Sequence, residues 1–307
     1  MLQTSNNMND KVKQLFDSQL IHWPLAQNNY AGLKTVRQKS ISFEGFDLIV
    51  QFNPARIVSS GAKVDGKSIA ERKCFLCEAN RPAEQEAVLF KQYSILVNPF
   101  PIFPEHFTIV HQRHIPQQIK PFFGDFLQLA KEMSDYVLFY NGPACGASAP
   151  DHLHFQAGTK DFLPLIKDYH ALKTKNALCF YKNNSCEVFR FDNYLRTVIC
   201  IESSDEFAIN DYFIGLYDTL QGTQLNEPMM NIVCDYDQGK WYTFIFPRET
   251  FRPWQYSAEV PEKLLVSPAT VEMSGVFITP IESHFDKINK EDICSILTQS
   301  SMKFDIN

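Results

Sequence analysis

His152-Leu-His-Phe-Gln156 is a stretch whose residue types and spacing could do chemistry. On a β-strand, side chains alternate between faces, so His152, His154 and Gln156 would line one wall. An imidazole with an ordinary pKa of about 6.5 is largely neutral near pH 7, and its ring lone pair needs no separate base. That suits attack on phosphorus, with His154, the middle residue, as the nucleophile. Its other ring nitrogen should donate to a backbone carbonyl, fixing the tautomer. Just upstream runs Asn141-Gly-Pro-Ala-Cys-Gly-Ala-Ser-Ala-Pro-Asp151. Glycine and small residues there let backbone N–H groups approach an anionic phosphate, and Ser148 and Gln156 add side-chain donors. Asn141 and Gly146 join the candidate substrate-binding residues on this loop.

The segment from Asn141 to Gln156 resembles the active-site segment of the histidine-triad superfamily. Within it, the most similar branch holds galactose-1-phosphate uridylyltransferase, diadenosine tetraphosphate phosphorylase and the GDP-hexose phosphorylases. Members of that branch have glutamine where the triad hydrolases have a third histidine, and this chain has Gln156. The stretch His152-Leu-His-Phe-Gln-Ala157 is most similar to the GDP-hexose phosphorylases. The resemblance implies two-step nucleotidyl transfer with ping-pong kinetics. His154 attacks the α-phosphorus of a nucleoside diphosphate hexose or a dinucleotide, releasing a sugar 1-phosphate or a nucleotide. Phosphate or another sugar phosphate then takes the nucleotidyl group. Gln156 cannot act as an acid at neutral pH, and with Gly158 it leaves no third histidine for a hydrolase. A uridylyltransferase or a diadenosine tetraphosphate phosphorylase is the alternative among enzymes; a non-catalytic nucleotide-binding protein is the alternative outside them.

Cys74-Phe-Leu-Cys77 is either a redox pair or half of a metal site. A redox pair wants a helix N-terminus after a strand, whereas Asn80-Arg81-Pro82 reads as a turn. In the transferase relatives, a histidine at a strand end and the first histidine of the motif complete a zinc site. Those map to His114 and His152, so the resemblance implies a closed structural zinc site of Cys74, Cys77, His114 and His152. His106 and His111 remain rivals for the third position. The other six cysteines stand singly and read as reduced thiols, mostly small buried hydrophobes.

Further contacts are expected from basic and amide side chains. Arg56 and Lys63, with Ser59 and Ser60, flank a glycine in a loop that corresponds to a basic loop of the relatives. Asn98, at a strand end, resembles the position that holds the ribose in the uridylyltransferases. Arg248 and Arg252 form a second candidate phosphate clamp.

The whole chain has 307 residues, 45% hydrophobic and 21% charged, with 29 basic against 35 acidic side chains and a net charge of −6. This is a globular composition large enough for two domains, and with no basic block it disfavours extended nucleic acid as a partner. The N-terminus lacks the pattern of a signal peptide and no run of eighteen apolar residues occurs, so a cytoplasmic protein without membrane spans is expected. A homodimer is a further possibility, since relatives are often dimers.

Strand signals at 93–98 and 106–111, a helix over about 121–136 and strands at about 137–141 and 152–157 make one unit. The order recurs: strands at 186–191 and 195–201, a helix from the capping-box-like Ser203-Ser-Asp-Glu206 to about Leu220, and strands at 229–234 and 241–246 around Asp237-Gln-Gly239. Where the first copy has His, His and Gln, the second offers Tyr242, Phe244 and Phe246. The expected fold is therefore α+β, a duplicated HIT-like arrangement of antiparallel sheets with packed helices. Residues 1–165 would hold the nucleophile and zinc site, and residues 166–307 a catalytically silent half. Phe43 to Phe52 reads as a strand pair or one kinked strand. Residues 267–280 should add a last strand to the second unit, before a helix from about Lys290.

Overall fold

The structure is a computed structural model that describes residues 7–57, 66–191, 193–221 and 226–303. Two strands, β1 (Arg37–Phe43) and β2 (Phe46–Phe52), form a hairpin around Gly45, whose φ of +88° suits a residue without a Cβ. A first set of five follows: β3 (Ala87–Phe90), β4 (Tyr93–Val97), β5 (His106–His111), β6 (Tyr136–Asn141) and β7 (His154–Thr159). A second set comprises β8 (Ala177–Lys182), β9 (Cys186–Phe191), β10 (Ile199–Ser203), β11 (Met230–Asp237) and β12 (Lys240–Pro247), and β13 (Val276–Thr279) comes last.

β3 to β12 build one ten-stranded sheet in the order β3-β4-β5-β7-β6-β11-β12-β10-β9-β8. Read inward from either edge, the two sets have the same order, and they meet where Asn141 on β6 pairs with Asn231 on β11. Each set also carries one helix in the same place, Phe123–Glu132 between β5 and β6 and Glu206–Leu220 between β10 and β11. The two helices touch through stacked Phe123 and Phe213 rings, 3.7 Å between centroids. This is the expected duplication, with one outer strand per half, β3 and β8, that the sequence reading did not include. In the second half Phe244 and Phe246 lie in the core, where they serve packing.

The sheet is a middle layer. One face is covered by these two helices and by the N-terminal helices Met8–His22 and Pro24–Gly32. The other face packs against the helices Pro164–Asn176 and Lys290–Ser300 and a small sheet of β1, β2 and β13. Leu153, Phe155 and Ala157 enter the first core, so alternation along β7 turns His154 and Gln156 toward the second layer.

Several boundaries differ from the sequence reading. β7 begins at His154, so His152 lies before the strand and does not share the wall with His154 and Gln156. β10 begins at Ile199 rather than Leu195, which sits at φ +61° in a turn. The second helix is capped by the Asp205 carboxylate, which accepts from the Phe207 and Ala208 N–H groups; Ser203 instead accepts from Asp205 N. The turn at Gln238-Gly239 has positive φ at both residues, 47° and 81°, as a tight two-residue hairpin requires. The last strand does not join the second unit: β13 pairs in parallel with β2, Val276 opposite Ile49, because the inner edge of the β1–β2 hairpin offers it a ladder. No helix among the described residues is long and apolar enough to cross a membrane.

Candidate active site

β7 and β5 present His154, Gln156 and Thr108 to a cavity of about 590 Å³ between the large sheet and the β1–β2–β13 layer. The His154 imidazole is buried, and its Nδ1 lies 2.8 Å from the carbonyl oxygen of His152. A carbonyl only accepts, so Nδ1 carries the proton and the Nε2 lone pair is left for the cavity. Burial lowers the pKa to about 4, against the smaller opposing effect of that hydrogen bond, so the ring is neutral at pH 7.

The backbone of His154 is held by a residue that the sequence reading missed. Pairing between β6 and β7 ends at Phe139 opposite Gln156, and beyond it the strands part. The buried Gln117 side chain fills the gap. Its Oε1 accepts from His154 N at 2.8 Å, and its Nε2 donates to the carbonyls of His154 and Asn141, 3.0 Å each. Gln117 sits in a loop without periodicity or motif, and only the diverging strands reveal its use.

Asn141 and Gly146 line the same cavity. The Asn141 Oδ1 accepts from Thr270 N (2.9 Å), Thr270 Oγ1 (2.6 Å) and Asn231 Nδ2 (3.0 Å), which leaves the amide nitrogen for the cavity. Gly146 has φ +117°, and a Cβ there would meet the Ala269 Cβ at 2.6 Å. Gly146→Ala is therefore expected to cost roughly 2 kcal/mol through strain and collision together. Thermal unfolding measures it; an unchanged midpoint would mean that the loop accommodates a side chain. Ser148 is an exposed residue at the rim.

Arg56 lies on the cavity wall, donating from Nη1 to Phe100 O at 2.7 Å while its Nε, buried, has no partner among the described residues. Burial lowers its pKa to about 10, so it stays charged. Lys63, Ser59 and Ser60 lie outside the described residues. Asn98 lines the cavity with its amide on Thr108 Oγ1, 3.1 Å.

Arg248 must be reassigned. It is buried, away from the cavity lining, and its guanidinium donates to Ser300 O, Asn231 Oδ1, Pro268 O, Thr250 O and Phe251 O. With every donor committed to the protein, it joins chain segments and does not clamp a substrate. Arg252 does reach the cavity, stacked on Tyr256 at 4.1 Å.

Two further charged groups escaped the sequence reading. Arg72 lines the cavity while paired to Asp151 at 2.7 Å. Glu272, opposite Arg56, accepts from Ala269 N at 2.9 Å, and burial lifts its pKa to about 7. Trp23, Leu25, Phe75, Leu76 and Pro82 give the cavity an apolar end.

Beside the cavity, the metal-ligand atoms of Cys74, Cys77, His114 and His152 all lie within 4.8 Å of one another. Nδ1 of His152 is 3.3 Å from the Cys74 sulfur and 3.6 Å from that of Cys77, and Nδ1 of His114 is 3.3 Å from the Cys77 sulfur. Sulfur and nitrogen ligands at ordinary zinc distances on a tetrahedron stand about 3.5 Å apart. The donor set and its spacing fit such an ion. Nε2 of His152 lies 2.7 Å from His111 O, the outer hydrogen bond that orients a ligating imidazole. The rivals are engaged elsewhere: His106 against Gln156, and His111 against the Arg113 backbone.

A sheet duplicated end to end, with His-x-His-x-Gln entering a strand of one half only, is the HIT-like fold in its two-unit form. Residues 15–159 match a family model described as a domain of unknown function (DUF4922), and residues 170–305 match one described as GDPGP1-like, C-terminal domain. The fold is similar to the crystal structure of yeast Ap4A phosphorylase Apa2, at TM-score 0.65 and 16% identity over 96% of this chain and 97% of that chain. The same yeast enzyme in complex with Ap4A aligns at TM-score 0.63 and 17% identity, covering 95% and 97% of the two chains. Its complex with AMP aligns at 0.56 and 17%, covering 94% and 96%. No curated protein sequence matches the chain. Together these matches show the two-unit fold of the yeast enzyme's structure and a second half similar to the GDPGP1-like C-terminal domain.

Proposed function

We propose that the protein is a nucleotidyltransferase working through a nucleotidyl-histidine, and specifically a phosphorylase of a nucleoside diphosphate hexose of the GDP-hexose type. One observation carries the reading: His154 is neutral, its Nδ1 proton is tied to His152 O, and its other nitrogen meets a cavity with Arg56, Arg72 and Arg252 on its walls. The Nε2 lone pair forms the bond to the α-phosphorus as the bond from that phosphorus to the bridging oxygen breaks, and the sugar 1-phosphate leaves with the electron pair. No base is needed, because attacking Nε2 bears no proton. Inorganic phosphate then attacks the same phosphorus and His154 leaves, giving the nucleoside diphosphate. The arginines and the amides of Gln156 and Asn141 stabilise charge on the transferring group.

The GDPGP1-like match of the second half supports the hexose reading. The second reading, a dinucleotide phosphorylase, is favoured by the near full-length likeness to yeast Ap4A phosphorylase. Incubation with GDP-, ADP- and UDP-hexoses and with Ap4A, each with phosphate, separates them. Released sugar 1-phosphate supports the first reading, ADP from Ap4A supports the second, and neither product would overturn both.

We read the Cys74, Cys77, His114 and His152 cluster as a structural zinc site. Its supporting observation is the fit of four ligand atoms to one ion. Bound there, zinc would be a closed four-ligand staple that fixes residues 149–153, and with them the carbonyl that holds the His154 tautomer. Protein purified without added zinc should carry close to one ion per chain. Cys77→Ser should lose the ion and lower the melting midpoint by roughly 5 °C, a cost of about 3 kcal/mol. A metal-free preparation with full stability would end this reading.

A further inference from the structure

We infer that His106 is a positioning residue that decides which end of the Gln156 carboxamide faces the cavity. A glutamine amide is nearly two-fold in shape, so its oxygen and nitrogen exchange places by a rotation that packing alone barely resists. For a site that must hold a phosphate the two ends are opposites: the nitrogen donates two hydrogen bonds to an anion, while the oxygen repels it.

The hydrogen bonds around His106 select one end. The backbone N–H of Ile102 points at Nδ1 of His106, 3.3 Å away, so Nδ1 accepts. In a neutral ring the proton then sits on Nε2, and Nε2 is 2.9 Å from Oε1 of Gln156. His106 donates and the Gln156 oxygen accepts, which leaves the amide N–H₂ for the cavity that Gln156 lines. Reversing the amide would set N–H against N–H. Full burial beside Arg56 keeps the ring neutral, with a pKa of about 3.

The ring itself has little freedom. Phe103 packs 5.2 Å from it and Phe139 5.8 Å, centroid to centroid. Phe103 in turn occupies the space above Gly158, where a Cβ would fall 2.4 Å from the ring. Gly158, Phe103, His106 and Gln156 thus form a line of support that runs from bare backbone to the phosphate donor, with Gly158 directly opposite His106 in the β5–β7 ladder.

The turnover arm of the test rests on the nucleotidyl-transfer reading; the spectroscopic arm does not. In protein with ¹⁵N-labelled histidine and no ligand, the His106 ring should show the neutral Nε2–H tautomer at pH 7. An Nδ1–H tautomer or a charged ring would overturn the proposal whatever the enzyme does. For turnover, the label transferred to His154 is followed with whichever of [α-³²P]GDP, ADP and UDP labels the wild-type protein. His106→Leu should slow labelling by about 10- to 100-fold, similar to Gln156→Ala, and the double variant should be no slower than Gln156→Ala. His106→Gln, which restores a donor at the same reach, should recover most of the rate. Independent, multiplying losses or failure of the rescue would overturn the proposal. If none of the three nucleotides labels the wild type, the nucleotidyl-transfer reading has failed, and the ring tautomer alone decides the role of His106.

Discussion

His154→Ala leaves a folded protein whose turnover is lower by about 10⁴-fold or more, and no radioactivity from an α-labelled nucleotide stays on the chain. The size follows from the division of labour in the site. On the nucleotidyl-transfer reading, arginines and amides can bind and polarise the substrate without the imidazole, but they cannot supply the bond-forming lone pair. The fold survives because the interactions that hold this part of β7 are those of the His154 backbone, which Gln117 grips on both sides, and these are unchanged in alanine. The variant should melt within a few degrees of the parent and still bind nucleotide. Measured release of product at more than about a hundredth of the parent rate would remove His154 from the role assigned to it.

Gln117→Leu has the second large effect, and it falls on stability and activity together. The substitution is close in volume but strips three buried backbone groups of their partners: His154 N, His154 O and Asn141 O. Each orphaned group costs about 1–3 kcal/mol, less what the strands regain by moving together, so a net loss of roughly 3–5 kcal/mol is expected. Strands that close the gap displace His154 relative to the loop from Asn141 to Asp151, so on the nucleotidyl-transfer reading catalysis also drops. Gln117→Glu is the informative companion. Its carboxylate still accepts from His154 N but faces two carbonyl oxygens with no donor, so it should be no better than leucine. Denaturant unfolding measures both variants, and a loss under about 1 kcal/mol for Gln117→Leu would show that the gap is not held by this side chain.

The duplicated fold was legible because helix and strand periodicities recur in the same order, and those patterns are local. His154 and Gln156 were legible as neighbours on one face because their spacing matches a strand, and Cys74 and Cys77 because a Cys-x-x-Cys has few other uses; His114 and His152 joined the pair only through the resemblance, and the structure brings the four together. What stayed hidden depends on distant segments meeting. Arg248 looks like a phosphate ligand in sequence, yet β11, the Ser300 carbonyl and the 250–251 turn consume its donors. Gln117 looks like nothing, yet it stands in for a missing rung of the sheet. The pairing of β13 with β2 joins segments with no shared pattern, and His152 left the wall of His154 because a strand's first residue is set by its neighbours' hydrogen bonds.

That same pairing of β2 with β13 imposes a timetable on the newborn chain. Arg56 follows β2 and Glu272 precedes β13, so the wall that carries them closes only when the two strands meet. Residues 53–275 lie between, which at roughly 5–20 residues per second is on the order of ten to forty seconds of synthesis. The segment from Cys74 to His152 leaves the ribosome well before that. A half-made chain can thus gather its cysteines and histidines and already display His154, but it has no closed chamber around that imidazole.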